Sequence, residues 1–457
     1  MSLLAGAADA LWDPWLLGLF LLTGLLLSLG CGFFPLFRVR LWLSATLGSL
    51  LHPRDRPVRG ISSLQALSTA LASTIGTGSI AGVAAAIYLG GPGAVFWMWV
   101  SALLGMMTGC AEKLLSVRYR RAGPAGWLGG PMYYIRDGLK SPLLAGWFAL
   151  ACLPATLTGG DMVQSSSIAA ALQATFGWDR LAVGAAVAVL TGLVMVGGIG
   201  RIARVSSGLV PAMALLYLGG GAAVLAARAD RIPEAMALIF CSALRPEAAV
   251  GGGMGYTLAA ALRYGVARGV FTNEAGLGTS AMAHAAAEVD CPARQGMWGI
   301  VEVCVSTLLV CTATALVILV SGVYGPADAL VRGALGAVPP DRLGAPLTAA
   351  AFSSVLGPWG GAVVSLSLLL FAFSSILGWS WYGEQSILYL TGSRRLVPAY
   401  RLVFLSCVVL GSVWEGEAVW ELVDLCNALM AIPNLTALLL LSPQVLRELR
   451  DWERTGG

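Results

Sequence analysis

Two short stretches of the chain place glycine pairs beside hydroxyl, amide and carboxylate side chains inside apolar runs. They are residues 73–79 (STIGTGS) and residues 271–278 (FTNEAGLG). Glycine pairs weaken a helix, and irregular backbone persists at membrane depth only where protein or water satisfies its polar groups. The N–H groups at a helix break can bind a carboxylate, and its carbonyl groups can ligate a cation. We therefore predict two broken helices that form a buried site for a small solute.

The second stretch also contains Glu274, an ionisable residue in an apolar segment. Such residues are costly inside a membrane and usually mark function. Glu274 either ties the unwound segment to neighbouring N–H groups or contacts the solute directly. Ser280 and His284 follow one helical turn apart and suggest a nucleophile and its base. No GxSxG or HExxH motif accompanies them, so we expect His284 to be a polar end to its helix.

The composition is that of a membrane protein. Of the 457 residues, 57% are hydrophobic and 11% are charged, with a mean hydropathy of +0.79. Soluble domains carry about 25% charged residues, so this chain lacks their polar surface. The nine cysteines show no metal-ligand spacing, which favours buried apolar roles. We predict an all-α polytopic membrane protein with about eleven transmembrane helices, at residues 15–37, 62–90, 93–117, 142–176, 181–200, 207–227, 253–284, 297–322, 360–391, 397–413 and 419–443.

The basic residues indicate an orientation. Alternate connectors between the predicted spans hold nineteen Lys and Arg residues in one set and six in the other. Basic residues accumulate on the cytoplasmic side, so we predict the N-terminus outside and the C-terminus in the cytoplasm. Their spread in short clusters argues against nucleic-acid binding. No basic residue precedes Arg38, so we expect the first span to be retained and not cleaved as a signal peptide.

The positions of the two breaks predict an internal repeat. After the first span, the broken helices come first in two successive groups of five spans. An odd number of spans inverts the second group, and matching breaks in inverted repeats mark the midplane site of a transporter. We predict one transmembrane domain (1–457) that comprises an extra N-terminal helix (15–37), a five-helix repeat (62–227), an inverted repeat (253–443) and a short cytoplasmic tail (444–457).

Five stretches of the sequence resemble the alanine/glycine:cation symporter family. They are residues 61–99, 129–134 (GGPMYY), 265–287 (GVARGVFTNEAGLGTSAMAHAAA), 311–319 (CTATALVIL) and 376–384 (ILGWSWYGE). They keep the family's order within residues 15–445. The resemblance implies a LeuT-type five-plus-five inverted repeat with one extra N-terminal helix. It also implies uptake of alanine or glycine driven by sodium, or by protons in some members.

The resemblance also implies site residues. Gln164 resembles a glutamine that reaches the substrate, Phe271 an aromatic lid, and Ile376 and Trp379 resemble residues that limit side-chain room. Substrate contacts are implied at Thr74, Gly76, Thr77, Gly78, Ser79, Gln164, Phe271, Thr272, Asn273, Ile376 and Trp379. Coordination of Na⁺ is implied at the carbonyls of Ala72, Ile75 and Phe371 and the hydroxyls of Ser374 and Ser375. The chain departs from the family at Ser79, where asparagine is usual, and at Ser374 and Ser375, where threonines are common.

The sequence also allows a purely structural role for these residues in place of a contact with substrate or ion. Gln164 could make a hydrogen bond between helices, and Trp379 could be ordinary packing. Ser374 and Ser375 could donate to the carbonyls of their own helix. Proton coupling would need a titratable group near the cavity, for which the candidates are Glu274 and Asp161.

Other classes of protein fit the sequence less well. A Walker A motif and a channel filter are both missing from the sequence, and an intramembrane hydrolase or a ligand sensor remain as alternatives. We expect no catalytic residue, cofactor or transition metal, with Na⁺ as the coupling ion and alanine or glycine as the substrate. We further expect a monomer that spans the lipid bilayer of the cell membrane.

Overall fold

Helices dominate the structure. The computed structural model describes residues 6, 10–51, 60–123, 126–244, 258–324, 344–414 and 417–455. Before residue 245 the helices are α1 (Leu17–Gly30), α2 (Phe34–Phe37), α3 (Val39–Ala45), α4 (Ser63–Thr74), α5 (Ala81–Gly90), α6 (Gly93–Arg118), α7 (Pro131–Gly138), α8 (Pro142–Leu157), α9 (Val163–Phe176), α10 (Arg180–Met195), α11 (Gly198–Ala227) and α12 (Ile232–Leu244). After it come α13 (Leu258–Asn273), α14 (Ala281–Ala285), α15 (Pro292–Val303), α16 (Thr312–Val320), α17 (Ala345–Leu356), α18 (Pro358–Thr391), α19 (Val397–Val413) and α20 (Glu417–Arg454).

Shorter elements join these helices. Wider π-helical turns precede α1 (Trp12–Leu16), link α8 to α9 (Thr158–Met162) and link α15 to α16 (Cys304–Cys311). Tighter 3₁₀ turns occupy Leu47–Leu51, Thr77–Ser79, Ala229–Arg231 and Arg394–Leu396. An antiparallel hairpin pairs β1 (Arg121–Gly123) with β2 (Gly126–Leu128), so the prediction of an all-α chain omits one small sheet.

Length and composition support a membrane location. Within the described residues, seven helical runs are long and apolar enough to cross a membrane: Gly93–Arg118, Pro142–Phe176, Gly198–Ala227, Pro292–Val320, Pro358–Thr391, Arg394–Val413 and Glu421–Arg454. The other four predicted spans correspond to the short helices α1 and α10 and to the two broken helices. Residues 253–257, which begin the seventh predicted span, lie outside the described residues, as do the connectors 52–59 and 325–343 used in the charge count.

Several predicted boundaries differ from the structure. The first span ends at Gly30 instead of residue 37, because Gly32 (φ 61°) and Phe33 (φ 52°) are left-handed and turn the chain. Helices α12 and α17 lie in segments predicted as connectors; at 13 and 12 residues they are too short for the span criterion of about 20. The predicted tail 444–457 is largely a continuation of α20.

The broken helices are packed inside the bundle. Helix α4 begins with a capping box, in which Ser62 Oγ accepts from Gln65 N and Gln65 Oε1 accepts from Ser62 N. Helix α4 packs against α18 and α11. Helix α13 packs against α6, and α6 also contacts α15. Ile61 N donates to Ala286 O and Glu288 N donates to Ile61 O, so the start of α4 is joined to the segment after α14.

Helices α6 and α15 approach closely at a pair of glycines. A Cβ atom on Gly299 would lie 2.5 Å from Gly109 O and 2.7 Å from Gly109 C. Small residues allow such backbone contact between membrane helices, and the neighbour here is backbone that cannot rotate away.

We therefore expect Gly299→Ala to destabilise the protein by about 1–3 kcal/mol through overpacking. Thermal unfolding of the purified protein in detergent measures the change as a lower midpoint. Gly219→Ala is the matched control, since nothing lies within 4 Å of its Cβ position. Equal midpoints for the two variants would contradict the close contact.

Candidate functional site

The first break separates α4 from α5. Helix α4 ends at Thr74, Ile75 leaves helical geometry (φ −84°, ψ 73°), and Gly76 is extended before the turn Thr77–Ser79. A Cβ on Gly76 would lie 2.5 Å from Ser375 Oγ and 3.3 Å from Gln164 Oε1. A side chain at this position would therefore press against side chains of α9 and α18.

The second break separates α13 from α14. Glu274 (φ 53°), Gly276 (φ 100°) and Gly278 (φ 78°) are all left-handed, a conformation that glycine adopts readily and glutamate rarely does. Thr279 Oγ1 donates to Glu274 Oε2. Both predicted breaks are present, and both are buried.

A small cavity lies between the two breaks. Its interior volume is about 20 Å³, close to the ~10–15 Å³ that one water molecule needs, so the cavity is nearly closed in this structure. Its wall is formed by Ser73, Thr74, Gly76, Gly78, Gly159, Gln164, Phe271, Glu274, Leu277, Trp379 and Asn427.

Large side chains and one amide define the wall of this cavity. Phe271 lies against Gly78, where a Cβ would be 2.9 Å from Phe271 Cδ1, and the indole of Trp379 packs over Gly160. Gln164 Nε2 donates to Gly159 O at 3.0 Å, while Gln164 Oε1 accepts from Thr77 N at 3.4 Å. Gln164 thus connects the π turn before α9 with the first break.

Oxygen atoms converge beside the cavity, between α4 and α18. Ser374 Oγ lies 3.0 Å from Ala72 O and 2.8 Å from Phe371 O. Ser375 Oγ lies 3.1 Å from both Ala72 O and Ser73 O. All five residues are buried, and the Ile75 at the end of α4 is 1% exposed. Hydroxyl and carbonyl oxygens are the ligands that hard cations prefer.

Some of the residues implied by the resemblance lie away from the cavity wall. Thr272 Oγ1 donates to Gly269 O, and Asn273 Oδ1 accepts from Ala275 N. Asn273 lines a second small cavity behind the break, beside Phe20 and α6. Ser79 O accepts from Thr314 Oγ1. Ile376 packs with Ile168 and Phe404 in a separate apolar cluster, and Thr77 reaches the site through its backbone N–H.

Four wall residues were not predicted: Ser73, Gly159, Leu277 and Asn427. Asn427 is 4% exposed and is a polar residue inside the last apolar run. Such a residue marks a candidate site, so the sequence contained a usable signal for it. Ser73 and Leu277 lie within the two stretches that predicted the breaks, whereas Gly159 carries no comparable signal, because small residues are common in membrane helices. Glu274, which the sequence left between a structural and a ligand-binding role, accepts a hydrogen bond from the Thr279 hydroxyl and lines the cavity.

Removal of the Gln164 amide should weaken substrate binding. We expect Gln164→Leu to raise the half-saturating concentration of an amino acid, the solute that the sequence resemblance implies, about tenfold in an uptake assay, since a lost hydrogen bond to a charged group of that solute is worth ~1.5–3 kcal/mol. Ser167→Ala is the control, because Ser167 lies on the same helix and its Oγ donates to Val163 O. If the half-saturating concentration is the same in the wild type and in Gln164→Leu, the Gln164 side chain does not contact the solute.

Comparison with known proteins gives consistent results. A profile of the sodium:alanine symporter family matches residues 1–456. The sodium/alanine symporter AgcS of Methanococcus maripaludis is 40% identical over 98% of this chain and 96% of its own length. The probable sodium/glutamine symporter GlnT of Bacillus subtilis is 36% identical over 98% of this chain and 90% of its own length.

A solved structure shares the fold. The manganese transporter of Eremococcus coleocola, in complex with an aromatic bis-isothiourea substituted compound, superposes with a TM-score of 0.50. The match covers 85% of this chain and 78% of that protein at 15% sequence identity. At this identity the likeness concerns the fold alone.

Proposed function

Since this chain belongs to the sodium:alanine symporter family, we propose that it takes up alanine or glycine together with sodium ions by alternating access. The observation that supports this most strongly is the small cavity between two broken helices, with cation-type oxygens directly beside it. A membrane transporter that couples two solutes needs both of them to stabilise the same conformation, and here both sites would include the break that follows α4.

The substrate would lie between the breaks. Its α-carboxylate and α-amino group would meet the backbone of residues 74–79 and 271–273, with Gln164 as a side-chain partner. Phe271 and Trp379 leave little room for a side chain, which favours alanine and glycine. Glutamine, named for a relative, is the less favoured substrate for the same reason.

Sodium would bind at the oxygens between α4 and α18. The carbonyls of Ala72, Ile75 and Phe371 and the hydroxyls of Ser374 and Ser375 would supply five ligands. The break after Thr74 supports this role, because carbonyls that leave a helix are free to face an ion.

The proposal includes a topology. Eleven spans form a LeuT-type five-plus-five inverted repeat after one extra helix, with repeats at 62–227 and 253–443. The N-terminus lies outside and the C-terminus in the cytoplasm, as the basic residues indicate. The protein acts as a monomer in the cell membrane.

Proton coupling is the second candidate, because Glu274 lines the cavity. Asp161, the other candidate, is fully buried in the π turn before α9. The geometry gives little support to a hydrolase. His284 Nδ1 lies 2.7 Å from Gln295 Nε2 and His284 Nε2 lies 3.2 Å from Glu302 Oε2, so both ring nitrogens face groups other than Ser280.

Reconstitution into liposomes tests the function. Radiolabelled alanine is offered under a sodium gradient, a proton gradient or neither, with glycine and glutamine as competitors. Sodium-driven accumulation is the expected result. Uptake that follows only the proton gradient would mean that the coupling ion is the proton and not sodium. If none of the three amino acids is taken up, the proposed substrates are wrong.

A further inference from the structure

A group of buried charged residues lies next to the second break but outside the cavity wall. Glu112 and Lys113 belong to α6, Glu302 to α15 and His284 to α14, and all four side chains are fully buried. Lys113 Nζ lies 3.2 Å from Glu302 Oε2 and 3.5 Å from Glu112 Oε2. Buried charges are expensive without partners, so their location next to the break calls for a physical reason.

Glu112 holds the backbone of the break directly. Its Oε1 accepts from Gly276 N at 2.8 Å and from Asn434 Nδ2 at 2.7 Å. The same Asn434 Nδ2 donates to Gly276 O at 2.8 Å, and Tyr134 Oη donates to Asn434 Oδ1. Both polar groups of Gly276 are therefore held by side chains of α6 and α20, where a continuous helix would use its own backbone.

Lys113 connects the two ends of the break. Through Glu112 it reaches Gly276 near the start of the break, and through Glu302 it reaches His284 in α14, which follows the break. Gln295 Nε2 lies 2.7 Å from His284 Nδ1, and Ser63 Oγ donates to Gln295 Oε1 at 2.8 Å. The chain of contacts thus extends from the second break to the start of α4.

The backbone held in this way carries two residues of the cavity wall. Glu274 and Leu277 lie on either side of Gly276 and both line the cavity. Their directions depend on the left-handed backbone at Glu274 and Gly276. Charge-assisted hydrogen bonds are about twice as strong as neutral ones, which suits a carboxylate to the task of holding strained backbone.

We propose that Glu112, anchored by Lys113, is a positioning residue that holds the second break in the conformation needed to bind the amino acid. Glu112 acts through Gly276 and does not touch the substrate. The proposed sodium oxygens of α4 and α18 lie outside its contacts, so Glu112 supports amino acid affinity and leaves sodium affinity at saturating amino acid unchanged. This selectivity rests on the proposed function, whereas the effect of Glu112 on the backbone does not.

The test compares Glu112→Gln with two other variants. Asn434→Leu removes the partner of Gly276 O while it keeps the charges intact. Glu384→Gln is the matched control: Glu384 is 3% exposed and pairs with Arg401 of α19 at 2.7 Å and 3.0 Å. Hydrogen–deuterium exchange of peptides that cover residues 270–281 reports the backbone, and alanine uptake at varied alanine and sodium reports the two affinities.

Glu112→Gln and Asn434→Leu should speed exchange in this segment and raise the half-saturating alanine concentration by about tenfold, with sodium half-saturation unchanged when it is measured at saturating alanine. Glu384→Gln should change neither. Unchanged exchange in Glu112→Gln, an equal change in Glu384→Gln, or a rise of sodium half-saturation at saturating alanine that matches the rise for alanine would overturn the inference. If the wild type carried no alanine, the proposed function would fail, and the exchange data would still decide the role of Glu112.

Discussion

Ser375→Ala is expected to raise the sodium concentration for half-maximal alanine uptake by about ten- to hundredfold. The hydroxyl of Ser375 lies 3.1 Å from Ala72 O and Ser73 O, and its removal would take away one of five proposed sodium ligands. A contact with a charged group is worth ~1.5–3 kcal/mol, which corresponds to this range. Alanine uptake into liposomes over a range of sodium concentrations measures the shift.

Ser380→Ala is the control for this substitution. Ser380 lies on the same helix, is fully buried, and its Oγ donates to Leu377 O of that helix at 2.7 Å. This substitution also removes a buried serine hydroxyl, but one that donates to its own helix, and sodium dependence should match the wild type. A sodium shift of the same size in both variants would mean that the hydroxyl stabilises α18 and does not bind the ion.

Trp379→Ala is expected to let the transporter accept larger amino acids. The indole is 6% exposed, lines the cavity and packs over Gly160, so its loss opens space where the substrate's side chain would lie. One methylene in an apolar pocket changes selectivity by about 10- to 200-fold. We therefore expect glutamine and leucine, poor competitors in the wild type, to compete with labelled alanine at least about tenfold better.

The matched control is Trp381→Ala. Trp381 is 7% exposed on the same helix and is not part of the cavity wall. It loses similar packing, so any general loosening of the protein would appear in both variants. If larger amino acids fail to compete in Trp379→Ala, or compete equally in Trp381→Ala, the tryptophan does not set the size limit.

The sequence predicted the breaks because their signals are local. Gly76, Gly78, Gly276 and Gly278 sit close together in apolar runs, and the structure breaks both helices there. Helix α10, by contrast, is shorter than its predicted span of 181–200, because the chain turns at left-handed Gly198 (φ 61°). Local pattern alone did not reveal this turn.

The site was only partly predictable, because its members meet through the fold. Ile376 and Ser375 are adjacent in sequence, yet a helix turns by about 100° per residue, so Ser375 faces α4 while Ile376 packs into an apolar cluster. Asn427 reaches the cavity from the last helix, far along the chain from the breaks. No spacing rule connects it to residues 73–79.

The buried charged residues around Lys113 were likewise only partly predictable from the sequence. Glu112, Lys113 and Glu302 stand inside apolar runs, which marks each of them as unusual. Glu112 nonetheless contacts Gly276 and Asn434, which lie 164 and 322 residues away in the sequence. Single residues could be flagged from the sequence, whereas the pairing that gives them a role required the three-dimensional arrangement.

Entry of radioactive sodium into proteoliposomes is the most direct measurement of coupled transport. Alanine added outside should accelerate ²²Na⁺ entry in the wild type, and the acceleration should be largely lost in Ser375→Ala. Alanine that enters the vesicles without any stimulation of ²²Na⁺ entry would contradict sodium symport at the site between the two broken helices.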